Sequence, residues 1–86
     1  MAKVLVCGAI NWDTTCLVDS LPATGEEVAC RDVSDVPGGT GANAAVAAAR
    51  ILGQGQVALF GALGNDQEAC LHLKILTDEG VDCSRV

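Results

Sequence analysis

Two short stretches hold the side chains best suited to chemistry. Asn11 and Asp13 flank Trp12 directly after an apolar run, and Pro37-Gly38-Gly39-Thr40-Gly41-Ala42-Asn43 precedes an alanine-rich segment. A carboxylate accepts from hydroxyl groups, and an amide both accepts and donates. Asp13, Asn11 and Asn43 together could therefore grip vicinal hydroxyls. Gly38 and Gly39 can take positive φ and expose backbone N–H groups with no Cβ in the way. A helix starting just beyond them would offer unpaired N–H groups to an anion or a hydroxyl-rich ligand. Structural roles compete: the glycines could serve only close packing of the helix, and Asp13 could merely start a turn. A dinucleotide site is a further alternative, because Gly39-Thr40-Gly41-Ala42-Asn43-Ala44 satisfies G-x-G-x-x-G/A. Its setting is poor. The preceding residues, RDVSDVPG, are polar, and VALFGA at 57–62 ends without the acid such a site wants. The string G-x-x-x-x-G-K-[ST] is absent, which excludes a P-loop nucleotidase.

These residues need elements to hold them. KVLVCGAI, residues 3–10, is apolar without alternation, the pattern of a central parallel strand buried on both faces. Asn11-Trp12-Asp13 would close its C-terminal end, where open α/β sheets bind ligands. Residues 14–20 and 28–36 mix polar and apolar types, as half-exposed antiparallel strands do, and 21–27 supplies the turn between them. The alanine-rich stretch predicts a helix from about Gly41 to just before Gly53. Residues 57–62 predict a second buried strand. Asp66 is a candidate cap for a helix over 66–79, with Ala69, Leu73 and Leu76 on one face, and Glu68 and His72 a supporting pair four apart. Val81 to Val86 reads as the approach to a further strand that the chain does not contain. Helix-linked strands imply a parallel sheet.

Composition narrows the function classes. Half of the 86 residues are hydrophobic and 19% are charged, unlike a disordered tail. Alanine (13) and glycine (10) replace aromatics, so the core must rely on close backbone approach. The net charge is −6, and Lys3, Arg31, Arg50, Lys74 and Arg85 are scattered. That argues against nucleic-acid and anionic-membrane partners. No apolar run approaches the roughly 20 residues that cross a bilayer. Five cysteines fit no zinc or disulfide pattern and suggest free thiols in a cytoplasmic protein, with Cys7 buried in the first strand.

Taken in order, VCGAINWD, LPATGEEV, PGGTGANAAVAAAR, FGALGND and EGVD closely resemble the N-terminal part of ribokinase-like (PfkB) carbohydrate kinases. The resemblance implies a doubly wound α/β sheet with a small β-lid, and transfer of the γ-phosphoryl of ATP, with Mg2+, to a sugar or nucleoside hydroxyl. It implies that Asp13 holds sugar hydroxyls and that Asn11 lines the same pocket. Gly38 and Gly39 would form a di-glycine hinge between lid and core. Gly39, Thr40 and Asn43 would contact the sugar. Lids of this family often clasp a partner's lid, so a homo-oligomer through the lid or an exposed sheet edge is expected. Thr40 stands where ribokinases commonly carry lysine, which bears on whether ribose is the sugar. The family's catalytic G-A-G-D string is absent here. The expectation is one partial domain: residues 1–13 a first core strand, 14–37 the lid, and 38–86 helix-strand-helix, truncated at the C-terminus. Such a chain would be inactive alone and would bind no cofactor itself. Two alternatives remain: a standalone binding or oligomerisation module, and the dinucleotide-binding start of an oxidoreductase.

Overall fold

The computed structural model describes residues 2–86. Its elements run β1 (Val4–Cys7), β2 (Asn11–Leu17), β3 (Asp32–Gly38), α1 (Thr40–Leu52), β4 (Val57–Phe60), α2 (Gln67–Asp78) and β5 (Val81–Arg85). β1, β4 and β5 form a parallel sheet in the order β1-β4-β5, and β2 and β3 form a separate antiparallel pair, the lid. The mixed α/β class and the parallel sheet are as the sequence predicts.

The sheet has two unequal faces. Val4, Val57 and Val81 share a register row, and so do Leu5, Ala58 and Asp82. Because side chains alternate, the first row points to one face and the second to the other. The core lies on the valine side, where Val57 and Leu59 are fully buried beneath Ala42, Ala45 and Ala49 of α1 and Leu76 of α2. Small alanines let α1 lie close to the sheet. Both helices cover this side, since a single groove runs between them. On the opposite side Leu5 and Phe60 are each 55% exposed.

Several boundaries differ from expectation. The apolar run 3–10 is not one strand. Only Val4–Cys7 pairs with β4, and β1 lies at the sheet's edge with β4 at its centre. Ile10 is apolar because it plugs the core, not because it extends the strand. Cys7, expected to be buried, is exposed. Asn11-Trp12-Asp13 does not end the first strand but opens β2, and the lid loop spans 18–31 instead of 21–27. Val81–Arg85 is itself a strand, paired with β4, not merely an approach to one. Its mixed composition alternates, with Val81 on the core side and Asp82 on the other.

The α-helical ends follow local rules. Asp66 Oδ1 accepts from Ala69 N at 2.8 Å and caps α2. Gly53 follows α1 with a φ of 99°, which a glycine adopts without strain. A bidentate pair, Arg50 Nε to Glu79 Oε2 at 2.8 Å and Nη2 to Oε1 at 2.7 Å, ties the end of α1 to the end of α2.

Candidate functional site

The lid strands meet the core at Gly38-Gly39. Asn11 pairs with Gly38, Trp12 with Pro37 and Asp13 with Val36. Asp13 leans diagonally along the ladder, so a Cβ on Gly38 would overlap its Oδ2. Gly39 caps α1 with a φ of 105°, and a Cβ there would fall 2.5 Å from Ala9 O and 2.8 Å from Asn11 N. Gly41 has a related constraint, since a Cβ would come within 2.6 Å of the Gly8 carbonyl carbon. The glycines therefore bring the lid base, the β1–β2 connection and the start of α1 into backbone contact.

The start of α1 is partly satisfied from within. Ala9 O accepts from Gly41 N at 3.0 Å and from Ala42 N at 3.2 Å. Those two amides are not free for a ligand, contrary to the expectation of an open helix terminus. Among the described residues the N–H groups of Gly39 and Thr40 have no intramolecular acceptor. The G-x-G-x-x-A string follows an antiparallel lid strand, not a buried parallel one, so it lacks the setting of a dinucleotide site.

Asn11, Asp13, Thr40 and Asn43 are all exposed. None of their side chains makes a hydrogen bond among the described residues, whereas Thr14 bonds Asp35 and Arg31 bonds Asp19 farther along the lid. Asn11 and Asp13 are two apart on β2 and so share a face. Thr40 and Asn43 are three apart on α1 and are neighbours on its surface. Gly38 is buried and Gly39 half-buried between these pairs. Asn43 also borders the groove between α1 and α2, a cavity of about 330 Å³ whose other walls include Pro37, Val46 and His72.

Two residues at this junction were not among the sequence candidates. His72, expected only as a supporting partner of Glu68, is 3% exposed, and its Nε2 lies 3.0 Å from Gly38 O. Trp12 packs edge-on against it, with ring centroids 6.2 Å apart. The signal for His72 was its spacing: it lies three residues after Ala69 and four before Leu76, both buried.

A family model described as pfkB family carbohydrate kinase matches residues 1–86. The chain is 36% identical to the ATP-dependent ribose-1-phosphate kinase of Halopiger xanaduensis, covering 100% of this chain and 28% of that protein. It is 46% identical to a ribokinase of Lactococcus lactis over 77% of this chain and 22% of the relative. The structure of Arabidopsis thaliana ribokinase complexed with ribose and ATP superimposes with a TM-score of 0.82 at 30% identity, over 100% of this chain and 28% of that one. The chain thus spans about a quarter of the length of these relatives.

Proposed function

The chain belongs to the pfkB family of carbohydrate kinases, and on that premise we propose that it forms the sugar- or nucleoside-binding part of an ATP-dependent kinase. The carrying observation is the group of unpaired polar side chains, Asn11, Asp13, Thr40 and Asn43, around the Gly38-Gly39 junction. A sugar presents adjacent hydroxyls. Asp13 accepts from them, Asn11 and Asn43 accept or donate, and the Gly39 N–H donates. The lid strands border the ligand and reduce its exposure to water, which strengthens each polar contact.

Among the described residues no three His, Cys, Asp or Glu side chains are grouped to hold a metal ion. Arg31, Arg50, Lys74 and Arg85 each pair with a carboxylate already. The reading takes ATP with Mg2+ as the phosphoryl donor of the whole kinase. It also takes the protein as cytoplasmic. No described helix is long and apolar enough to cross a membrane.

Titration of the chain with ribose and with adenosine tests this reading. Wild type should bind one of them, and amide shifts should concentrate at Asn11, Asp13, Gly39, Thr40 and Asn43. Asp13→Ala should weaken binding about 10- to 150-fold, the value of a hydrogen bond to a charged group. Its stability should fall by less than about 1 kcal/mol, because Asp13 is exposed. Unchanged affinity with a large loss of stability would make Asp13 a structural residue and remove the proposal's centre.

A further inference from the structure

His72 stands in the middle of α2 yet reaches both lid strands. Its Nε2 meets Gly38 O of β3 at 3.0 Å, and its ring stands edge-on to Trp12 of β2 at 66° between planes. A carbonyl only accepts, so Nε2 carries the hydrogen of this contact. Nδ1 is buried and has no partner among the described residues. A buried polar atom without a partner is destabilising, and leucine in its place would carry no such burden. The bond made by Nε2 accounts for an imidazole there. The Gly38 carbonyl and the Gly39 N–H belong to one planar trans peptide and point in opposite directions. Holding the oxygen from the α2 side turns the Gly39 N–H away from α2. Of the amides at this junction, Gly41 and Ala42 are already bonded to Ala9, while that of Gly39 has no acceptor among the described residues.

We propose that His72 is a positioning residue: its Nε2–H fixes the Gly38–Gly39 peptide plane and thereby aims the Gly39 N–H as a ligand donor beside the Asp13 carboxylate. This rests on the sugar-site reading above, but its first readout needs no ligand.

Three variants separate the bond from packing. His72→Gln places an amide nitrogen three bonds from Cβ, as Nε2 is, and can donate to Gly38 O. His72→Asn stops one bond short. His72→Leu fills the space and donates nothing. Hydrogen exchange resolved by NMR would follow the Gly41, Ala42 and Asn43 amides, whose acceptors are Ala9 and Gly39. His72→Leu and His72→Asn should exchange faster there by about 3- to 10-fold, the weight of one hydrogen bond. His72→Gln should match wild type, and the thermal midpoint of His72→Leu should change little. Ribose or adenosine affinity should follow the same order with a similar fold-change. Wild-type exchange in His72→Leu would overturn the proposal. So would a loss in His72→Leu that His72→Gln does not restore, because packing alone would then explain it. A wild-type chain that binds neither probe defeats the sugar reading, while the exchange series still decides whether His72 holds the peptide.

Discussion

A methyl group would do different damage at two adjacent glycines. At Gly38 it would overlap Asp13 Oδ2, the far end of an exposed side chain that can swing aside. Gly38→Ala should therefore change stability by less than about 1 kcal/mol. It should nevertheless weaken sugar binding nearly as much as Asp13→Ala does. At Gly39 the methyl would meet backbone, and φ is 105°. Gly39→Ala should cost at least about 2 kcal/mol from backbone strain and overlap combined. Denaturant unfolding and ligand titration of both variants would check this split; a Gly38→Ala chain that binds as wild type would contradict it. A thiol pair offers another residue-scale measurement. Cys16 has its pKa raised, chiefly because its own S–H donates toward the neighbouring Cys30 sulfur, a contact that ionisation would lose. Its alkylation should thus begin at lower pH in Cys30→Ala than in wild type, read by mass spectrometry. The structure brings Asn11, Asp13, Gly38, Gly39, Thr40 and Asn43 to one junction, where the sequence offered two separate stretches, one directly after an apolar run and one before a predicted helix. The place of His72 was not legible, since a lone histidine beside a glutamate reads as a supporting pair until the helix phase is followed through Ala69 and Leu76.

Helix ends were the most legible elements because their signals are local. The alanine run and Gly53 gave α1, and Asp66 gave the start of α2. Asp66→Ala should remove the bond to Ala69 N and cost about 1 kcal/mol, a fall of roughly 4–8 °C in midpoint for a chain of this size. The Arg50–Glu79 pair joining the helix ends adds a pH dependence. Arg50 holds the Glu79 carboxyl below its ordinary value, chiefly through their hydrogen bond. A depressed carboxylate contributes fully above its unfolded pKa, and that contribution is lost as pH falls through the folded value. Arg50→Gln should flatten this part of the acid limb, and high salt should do the same to wild type, since both side chains reach solvent. An acid limb identical in wild type and Arg50→Gln would show the pair to be inert. Strands were less legible than helices. Residues 8–10, Gly-Ala-Ile, carry no polar side chain, yet the chain leaves the sheet after Gly8, and the Ala9 carbonyl serves α1 amides instead. The lid strands lie at 11–17 and 32–38 because pairing runs down to the Gly38 junction, with Pro37 tolerated opposite Trp12. Long-range pairing of this kind leaves no local mark.

At the scale of the molecule, the two sheets project differently. The Cα radius of gyration is 16.0 Å, against roughly 12 Å for a compact chain of this length. The lid therefore stands out from the core. The uncovered sheet face, with Leu5 and Phe60 half-exposed, joins the lid's Leu17 and Val33, at 55% and 56% exposure, as apolar surface in water. Such surface and free strand edges favour association. The isolated 86-residue chain should self-associate at tens of micromolar, and Leu5→Lys with Phe60→Lys should reduce that tendency. Sedimentation showing a stable, monodisperse wild-type monomer would count against it. The fold class was legible from alternating strand and helix signals. The one-sided covering was not, because an apolar strand reads alike whether its second face is covered or bare.

The parallel sheet also sets an order of assembly. Val4 pairs with Val57 across 53 residues, while Val57 pairs with Val81 across 24. Closing the longer loop costs about 0.7 kcal/mol more chain entropy, before the lid within it has ordered. The β4-α2-β5 unit should thus form in the folding transition state, and β1 should dock after it. Truncating Leu76 to Ala should mainly slow folding, and truncating Val6 to Ala should mainly speed unfolding. On a ribosome, β1 leaves the tunnel first but waits for its partner strand until residue 60 has emerged. Of these three strands, the first made would be the last to find its place.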